Sequence, residues 1–204
     1  MTQDPHAVAD IPALEALYGA VHPRSHIKET PGLTPAYRAW IEAAPFFAIA
    51  TSGPGGLDCS PRGDLPGQVF AVEDPETLLI PDRRGNNRLD TLRNIVADPR
   101  LALLFLVPGV PECVRINGRG TVTTDPALLE RFAVQGNLPA TVLRVAIDSV
   151  YFQCARAIIR AKLWEPATAP AVPTAGAMTK DAAADFDAAT YDAELRERQG
   201  RTLY

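Results

Sequence analysis

Residues 78–109 read LLIPDRRGNNRLDTLRNIVADPRLALLFLVPG, and the order of signals in this stretch decides the fold. Leu78 to Ile80 complete a short apolar strand predicted over residues 77–80. The polar run from Pro81 to Asn87 turns the chain, and residues 88–97 then set Leu89, Leu92, Ile95 and Val96 on one helical face. Asn87 stands where an N-cap belongs, which puts Asp90 at the third helical position. Asp98-Pro99 ends the helix, because a residue before proline is pushed away from the helical region. Residues 101–107 form a nearly all-apolar strand, predicted to be buried on both faces.

The flanking segments are mostly strands. Downstream, ECVRINGRGTVTT (112–124) alternates Val114, Ile116 and Val122 with Arg115, Asn117 and Thr123, and Gly118 and Gly120 predict a bulge or sharp bend. After Asp125-Pro126 come a helix over 127–132 and a long strand over 140–152. Upstream, FFAIAT (46–51), an SGPGG turn and residues 57–60 read as a hairpin. Strands over 68–72 and 77–80 surround the turn sequence Glu73-Asp74-Pro75. Six or more strands in about a hundred residues, with two or three helices between them, give a mostly antiparallel barrel rather than an alternating βαβ unit.

The chain ends are helical. IPALEALYG (11–19) reads as a short helix that Gly19 can end, and residues 34–44 as another, with Thr34 as N-cap and Pro35 at the first position. The predicted organisation is an N-terminal helical arm (1–45), a barrel domain (46–164), a Pro/Ala linker (165–180), and a C-terminal helix and tail (181–204) with Phe186, Tyr191 and Leu195 as apolar positions. Packing of that last helix on a partner subunit and fraying in solvent are both open.

Composition narrows the function classes. The 204 residues are 47% hydrophobic and 22% charged, with a formal charge of −4, which argues against a nucleic-acid coat. Cys59, Cys113 and Cys154 lie far apart, as free thiols in a reducing compartment would. The N-terminus shows no secretory signal, and the most apolar stretch, 101–110, is too short to span a bilayer and contains Pro108. The expectation is a soluble cytoplasmic protein. The three histidines, His6, His22 and His26, precede the barrel, so no HExxH and no Ser/His/Asp order runs through it. His22 and His26 have a metal-compatible spacing, but Pro23 disfavours a shared helix. Neither phosphate-loop signature, GxxxxGK[ST] or GxGxxG after a strand, occurs.

Three polar units remain for chemistry. In PDRRGNNRLDTLRN (81–94), Arg83, Arg84, Arg88 and Arg93 sit with Asp82, Asn86 and Asn87 where a strand becomes a helix. Such a helix start favours an anion, and Arg88 adds a fork of donors suited to phosphate. In DCSPRGDLPG (58–67), Ser60 and Arg62 project toward a polar ligand while the glycines allow close approach. In YFQCARAIIRAKLW (151–164), Arg156, Arg160 and Lys162 accompany Cys154 and Trp164. Taken alone, the three units read first as a solvated loop, a capped turn and an amphipathic helix.

Together, LLIPDRRGNNRLDTLRNIVADPRLALLFLVPG, the following VRINGRGTV, SPRGD and CARAIIRAKLW resemble the pyridoxamine 5′-phosphate oxidase-like flavoproteins, in particular a bacterial subgroup of probable FMN-dependent enzymes. The resemblance covers roughly residues 40–165 and implies an antiparallel split β-barrel with flanking helices. It implies a homodimer with two FMN sites at the subunit interface; from the charge balance and the short apolar stretch, no nucleic-acid or membrane partner is expected. By the same resemblance Ser60 and Arg62 face the flavin ring, while Asp82, Asn87 and Arg88 lie near the ribityl chain and phosphate. Arg88 is the first choice among them, and Arg83 and Arg84 follow. Arg115 and the Cys154–Arg156–Arg160 segment complete the pocket from the other subunit. The substrate-phosphate residues and RLxP ending of true pyridoxamine phosphate oxidases have no clear counterpart, and the C-terminus GRTLY differs. The implied activity is therefore flavin-mediated hydride or electron transfer with an undetermined small molecule. The alternatives are a non-catalytic protein that stores or senses FMN, haem or a deazaflavin, and a general anion-binding module.

Overall fold

The computed structural model describes residues 4–166, 168 and 170–202. Residues 1–3 of the predicted arm, Ala167 and Ala169 of the predicted linker, and Leu203 and Tyr204 of the tail lie outside the described residues. The order of elements is α1 (Ile11–Tyr18), α2 (Arg24–Ile27), α3 (Pro35–Glu42), β1 (Phe46–Gly53), β2 (Gly56–Gly63), β3 (Ala71–Asp74), β4 (Thr77–Asp82), α4 (Asp90–Ala97), β5 (Arg100–Leu106), β6 (Cys113–Thr123), α5 (Pro126–Arg131), β7 (Thr141–Gln153), α6 (Arg156–Ala161), α7 (Ala175–Ala182) and α8 (Ala188–Arg201). The strands form one antiparallel sheet in the order β2-β1-β5-β6-β7-β4-β3. Its edges are β2 and β3, and it does not close on itself.

Strand alternation decides what each face buries. Phe47 and Ile49 of β1, Leu101, Leu103 and Phe105 of β5, and Val114 and Ile116 of β6 point inward with Leu78, Ile80, Leu143, Val145 and Val150. Phe47, Phe70 and Phe105 form the aromatic centre, with ring centroids 5.0–6.2 Å apart. Ile41 of α3 and Ile95 of α4 cover this inner face. The bulge predicted at the glycines is there: the β6–β7 register shifts between Asn117 and Gly118. A Cβ on Gly118 would strike the Ala146 carbonyl, so the strands can approach only where the side chain is missing.

Three expectations are corrected. The strand buried on both faces is β4, not β5. Leu78 and Ile80 face the main core, while Leu79 joins Val142 beneath Leu128 and Phe132, contributed by α5 and its C-terminal cap. In β5 only Leu101, Leu103 and Phe105 are buried; Leu104 is 37% exposed. Second, Asn87 is not an N-cap. Asn87 and Leu89 both take left-handed backbone (φ 58° and 62°), and the Arg88 amide donates to Asn86 Oδ1. This local turn competes with the helix and delays its start, so that Asp90 is the first helical residue rather than the third. Third, the final helix is two helices. Thr174 caps α7 within the expected linker, and Phe186 stacks edge-on with Tyr191 from the loop before α8. No described helix is long and apolar enough to cross a membrane.

Candidate functional site

The site is built on edge strand β2 and on the turn that leaves β4. In the β1–β2 register, Phe47, Ile49 and Thr51 face Arg62, Ser60 and Asp58. The three polar side chains therefore lie on the sheet's inner face, beyond the apolar core and against α4. Leu57, Cys59 and Pro61 alternate outward.

Asp58 is the hub. Its carboxylate accepts hydrogen bonds from Ser60 Oγ (2.9 Å to Oδ2) and from the buried Thr91 Oγ1 of α4 (2.5 Å). One turn further along α4, the buried Asn94 donates Nδ2 to Thr51 Oγ1 (3.2 Å) and to the Gly56 carbonyl (3.3 Å). A Cβ on Gly53 would collide with Asn94. The hairpin is thus seated directly on the helix, and the polar wall has a fixed shape.

Opposite this wall is the β4–α4 turn, and between them lies a cleft of about 540 Å³. Six sequence-predicted residues, Ser60, Arg62, Asp82, Arg83, Asn87 and Arg88, line it. Arg62 approaches Asp82 across the cleft at 3.9 Å. Burial raises the Asp82 carboxyl above its ordinary value of 3.8, against the opposing pull of Arg62. Arg83 is engaged by the protein: its guanidinium donates to the carbonyls of Phe132 (2.6 Å) and Gln68 (3.3 Å) and lies 3.4 Å from Asp64. Arg88 is exposed and its guanidinium, among the described residues, pairs with Asp90 alone, while the Arg84 guanidinium makes no hydrogen bond or ion pair with described residues. Two exposed guanidiniums, Arg84 without a partner among the described residues and Arg88 paired with Asp90, thus stand where an anion could meet them, beside the first turn of α4.

The other four predicted residues line no part of this cleft. Arg115 lies on the outer sheet face, its guanidinium 5.2 Å from the centroid of its cross-strand neighbour Tyr151. Cys154 is exposed between β7 and α6, and Arg156 and Arg160 are exposed on α6. Trp164 anchors the chain after α6 by donating to the Val110 carbonyl at 2.8 Å. Asp58 and Thr91 escaped the sequence reading. Asp58 was legible as the first member of an every-second-residue polar set with Ser60 and Arg62; Thr91 had no signal beyond being a hydroxyl in a helical first turn.

The family model described as pyridoxamine 5′-phosphate oxidase matches residues 33–154, from just before α3 to the end of β7. The chain belongs to the pyridoxamine 5′-phosphate oxidase family. The matched region contains every strand and the whole cleft, and it ends before α6. None of the curated proteins matches the chain. Among solved structures it is similar to the Group A Streptococcus protein HupZ (15% identity over 68% of this chain and 99% of that one, TM-score 0.48). It is also similar to a Lactobacillus delbrueckii protein assigned to pyridoxamine 5′-phosphate oxidase (21%, 60% and 95%, 0.47). A third is the FAD-binding protein of Mycobacterium smegmatis (15%, 61% and 97%, 0.42). At these identities and scores the likenesses carry no functional argument for this member of the family.

Proposed function

We propose that this chain is an FMN-dependent oxidoreductase that works as a homodimer on a small-molecule substrate. The observation that carries the reading is the convergence of Ser60, Arg62, Asp82, Asn87 and Arg88 on one cleft in a member of this family. The donor set suits FMN. Arg84 and Arg88 supply charge-assisted donors for a phosphate at the mouth, and the polar wall of Asp58, Ser60 and Thr91 offers partners for the ribityl hydroxyls. When bound, the flavin supplies the hydride and electron chemistry that no side chain here provides. The chain's task is orientation: Arg62 and Asp82 hold opposite charges across the cleft, and Asn94 keeps the hairpin wall from moving.

The dimer reading rests on the outer sheet face. Phe46, Ala48 and Ala50 of β1 adjoin Ala102, Leu104 and Leu106 of β5 and Leu57 and Pro61 of β2, an apolar strip on which, among the described residues, Phe46, Leu57 and Leu104 stay exposed. We assign to such a second copy the Arg115, Cys154, Arg156 and Arg160 that would complete the neighbouring cleft, where the cationic residues would add charge.

The test is the visible absorption spectrum of the purified protein, with the released chromophore identified by mass spectrometry. About one FMN per chain, lost on Arg88→Ala with affinity falling on the order of tenfold or more, is the expected result. A colourless protein that also ignores added FMN overturns it. Steady-state reduction by NADH or NADPH, with transfer to an acceptor, then separates a catalyst from a carrier.

A further inference from the structure

Two of the three thiols meet at one corner of the sheet, and the flavin reading makes no use of the bond they can form. Cys113 opens β6 and is 7% exposed, whereas Cys154 follows the end of β7 and is exposed. In the β6–β7 register Cys113 stands opposite Gln153, the residue before Cys154. Antiparallel partners are roughly 5 Å apart at Cα and a strand advances about 3.3 Å per residue, so the two cysteine Cα atoms are about 6 Å apart. A disulfide spans roughly 4.4–6.8 Å between Cα atoms. Strand alternation does not send Cys154 to the far face, because the strand ends at Gln153 and Ala155 is already right-handed helical (φ −64°, ψ −14°). Burial first, then the neighbouring Glu112 and Cys154, raise the Cys113 thiol above its ordinary value of 9.0, so the two sulfurs lie within electrostatic reach.

The same corner is where α6 takes root. That helix buries no residue, and Ala155 at its start offers no side-chain cap. Its far end is tied, since Trp164 donates to the Val110 carbonyl three residues before Cys113. A bond between Cys113 and Cys154 would tie the near end to the same strand, leaving α6 between two fixed points. Cys59 lies on β2, three strands from β6 and therefore roughly 14 Å away, out of reach of both.

We infer that Cys113 and Cys154 form a reversible disulfide that staples the root of α6 to β6, with a low-molecular-weight disulfide of the glutathione type as the oxidant. The exposed Cys154 reacts first: its thiolate attacks one sulfur of the oxidant, forms a mixed disulfide and releases one small thiol. Cys113, as thiolate, then attacks the Cys154 sulfur and expels the second small thiol. Two protein thiols lose two electrons and two protons, and one small disulfide becomes two thiols. Burial keeps Cys113 from reacting first and leaves it as the resolving partner. Bond formation is independent of what the cleft holds.

The test equilibrates the full-length protein with oxidised and reduced glutathione at a series of ratios, then alkylates it and maps the peptides by mass. The expected map links Cys113 to Cys154, with two hydrogens lost, restores both thiols in excess reduced glutathione, and never shows Cys59 in a protein disulfide. In Cys113→Ser the reaction stops at the mixed disulfide on Cys154; in Cys154→Ser, Cys113 stays a thiol while the protein is folded. Oxidation of the wild type is expected to slow amide exchange over residues 155–164 on the order of tenfold. Glutathione left on Cys154 in the wild type with Cys113 still a thiol, or a Cys154–Cys154 bridge between two copies, overturns the staple. Unchanged exchange over 155–164 in the linked protein overturns its hold on α6. Should Cys113→Ser fail to fold, Cys113→Ala replaces it, and the wild-type map decides without either.

Discussion

The outer face of the sheet has two halves with similar sequence and opposite fates. At one end Leu79 and Val142 are sealed beneath Leu128 and Phe132, so β4 is buried on both sides. At the other end Leu104, in a strand just as apolar, is 37% exposed beside Phe46 at 36%. The covered half is finished within the chain. The open half is an unpaired apolar surface on an otherwise closed core, the kind that marks an interaction site. Apolar content therefore says that a strand wants cover, not who supplies it.

Substitutions can break this contrast. The largest effect is expected for Leu79→Ala, which leaves a cavity under α5 and costs about 2–5 kcal/mol in denaturant unfolding. Leu104→Ala, tested on dilute monomer, costs less than about 1 kcal/mol, because water already reaches that side chain. Equal losses at the two sites would mean that both halves are sealed in the monomer. Next comes Leu104→Arg, expected to turn a dimer into a monomer in sedimentation while thermal stability of the isolated chain changes little. An unchanged sedimentation coefficient would show that the open half stays in water. Arg156→Ala then sharpens the same point: it weakens FMN binding in the dimer by several-fold and has no effect in the Leu104→Arg background. An equal loss in both backgrounds would assign Arg156 to its own chain's cleft.

The smallest effect belongs to Asp82, the last residue of the doubly buried strand. Its carboxyl is raised in the folded protein, chiefly by burial, so the folded state keeps a proton to higher pH than the unfolded one. The favourable contribution of the protonated form is complete below the unfolded value near 3.8 and is lost as pH rises through the folded value. Asp82→Asn should therefore raise the melting temperature slightly at pH 7 and leave it unchanged near pH 3. A loss at pH 7 would mean that the Arg62 pair outweighs burial. Asp98 runs the other way: hydrogen bonds from Arg100 lower it to about 2, so its contribution is present above 3.8 and disappears as pH falls through 2.

Period and punctuation made most of the sheet legible. The hairpin at SGPGG, the Gly118 bulge and the helix stop at Asp98-Pro99 all follow from backbone chemistry local to a few residues. What failed was whatever depends on distant neighbours. Nothing in LALLFL reveals that α5 covers β4 instead. Asn87 carries a good cap side chain, yet the consecutive Asn86-Asn87 pair prefers its own turn and shifts the helix start to Asp90. Likewise the Arg and Ser residues of the cleft were visible as types in a row. The tie between Asp58 and Thr91 depends on where a helix lands against a strand 33 residues earlier.

The cleft's polar wall is carried by an edge strand. Among the described residues β2 has β1 as its only strand neighbour, and Pro61, which lacks an N–H, is tolerated on such an edge. Half of β2's backbone is thus held by no ladder, and the wall formed by Asp58, Ser60 and Arg62 depends on the Thr91 and Asn94 contacts from α4 to hold its shape. Ligand occupancy in this molecule should therefore register less as a change of shape than as slowed amide hydrogen exchange along residues 56–63, with the buried centre unaffected.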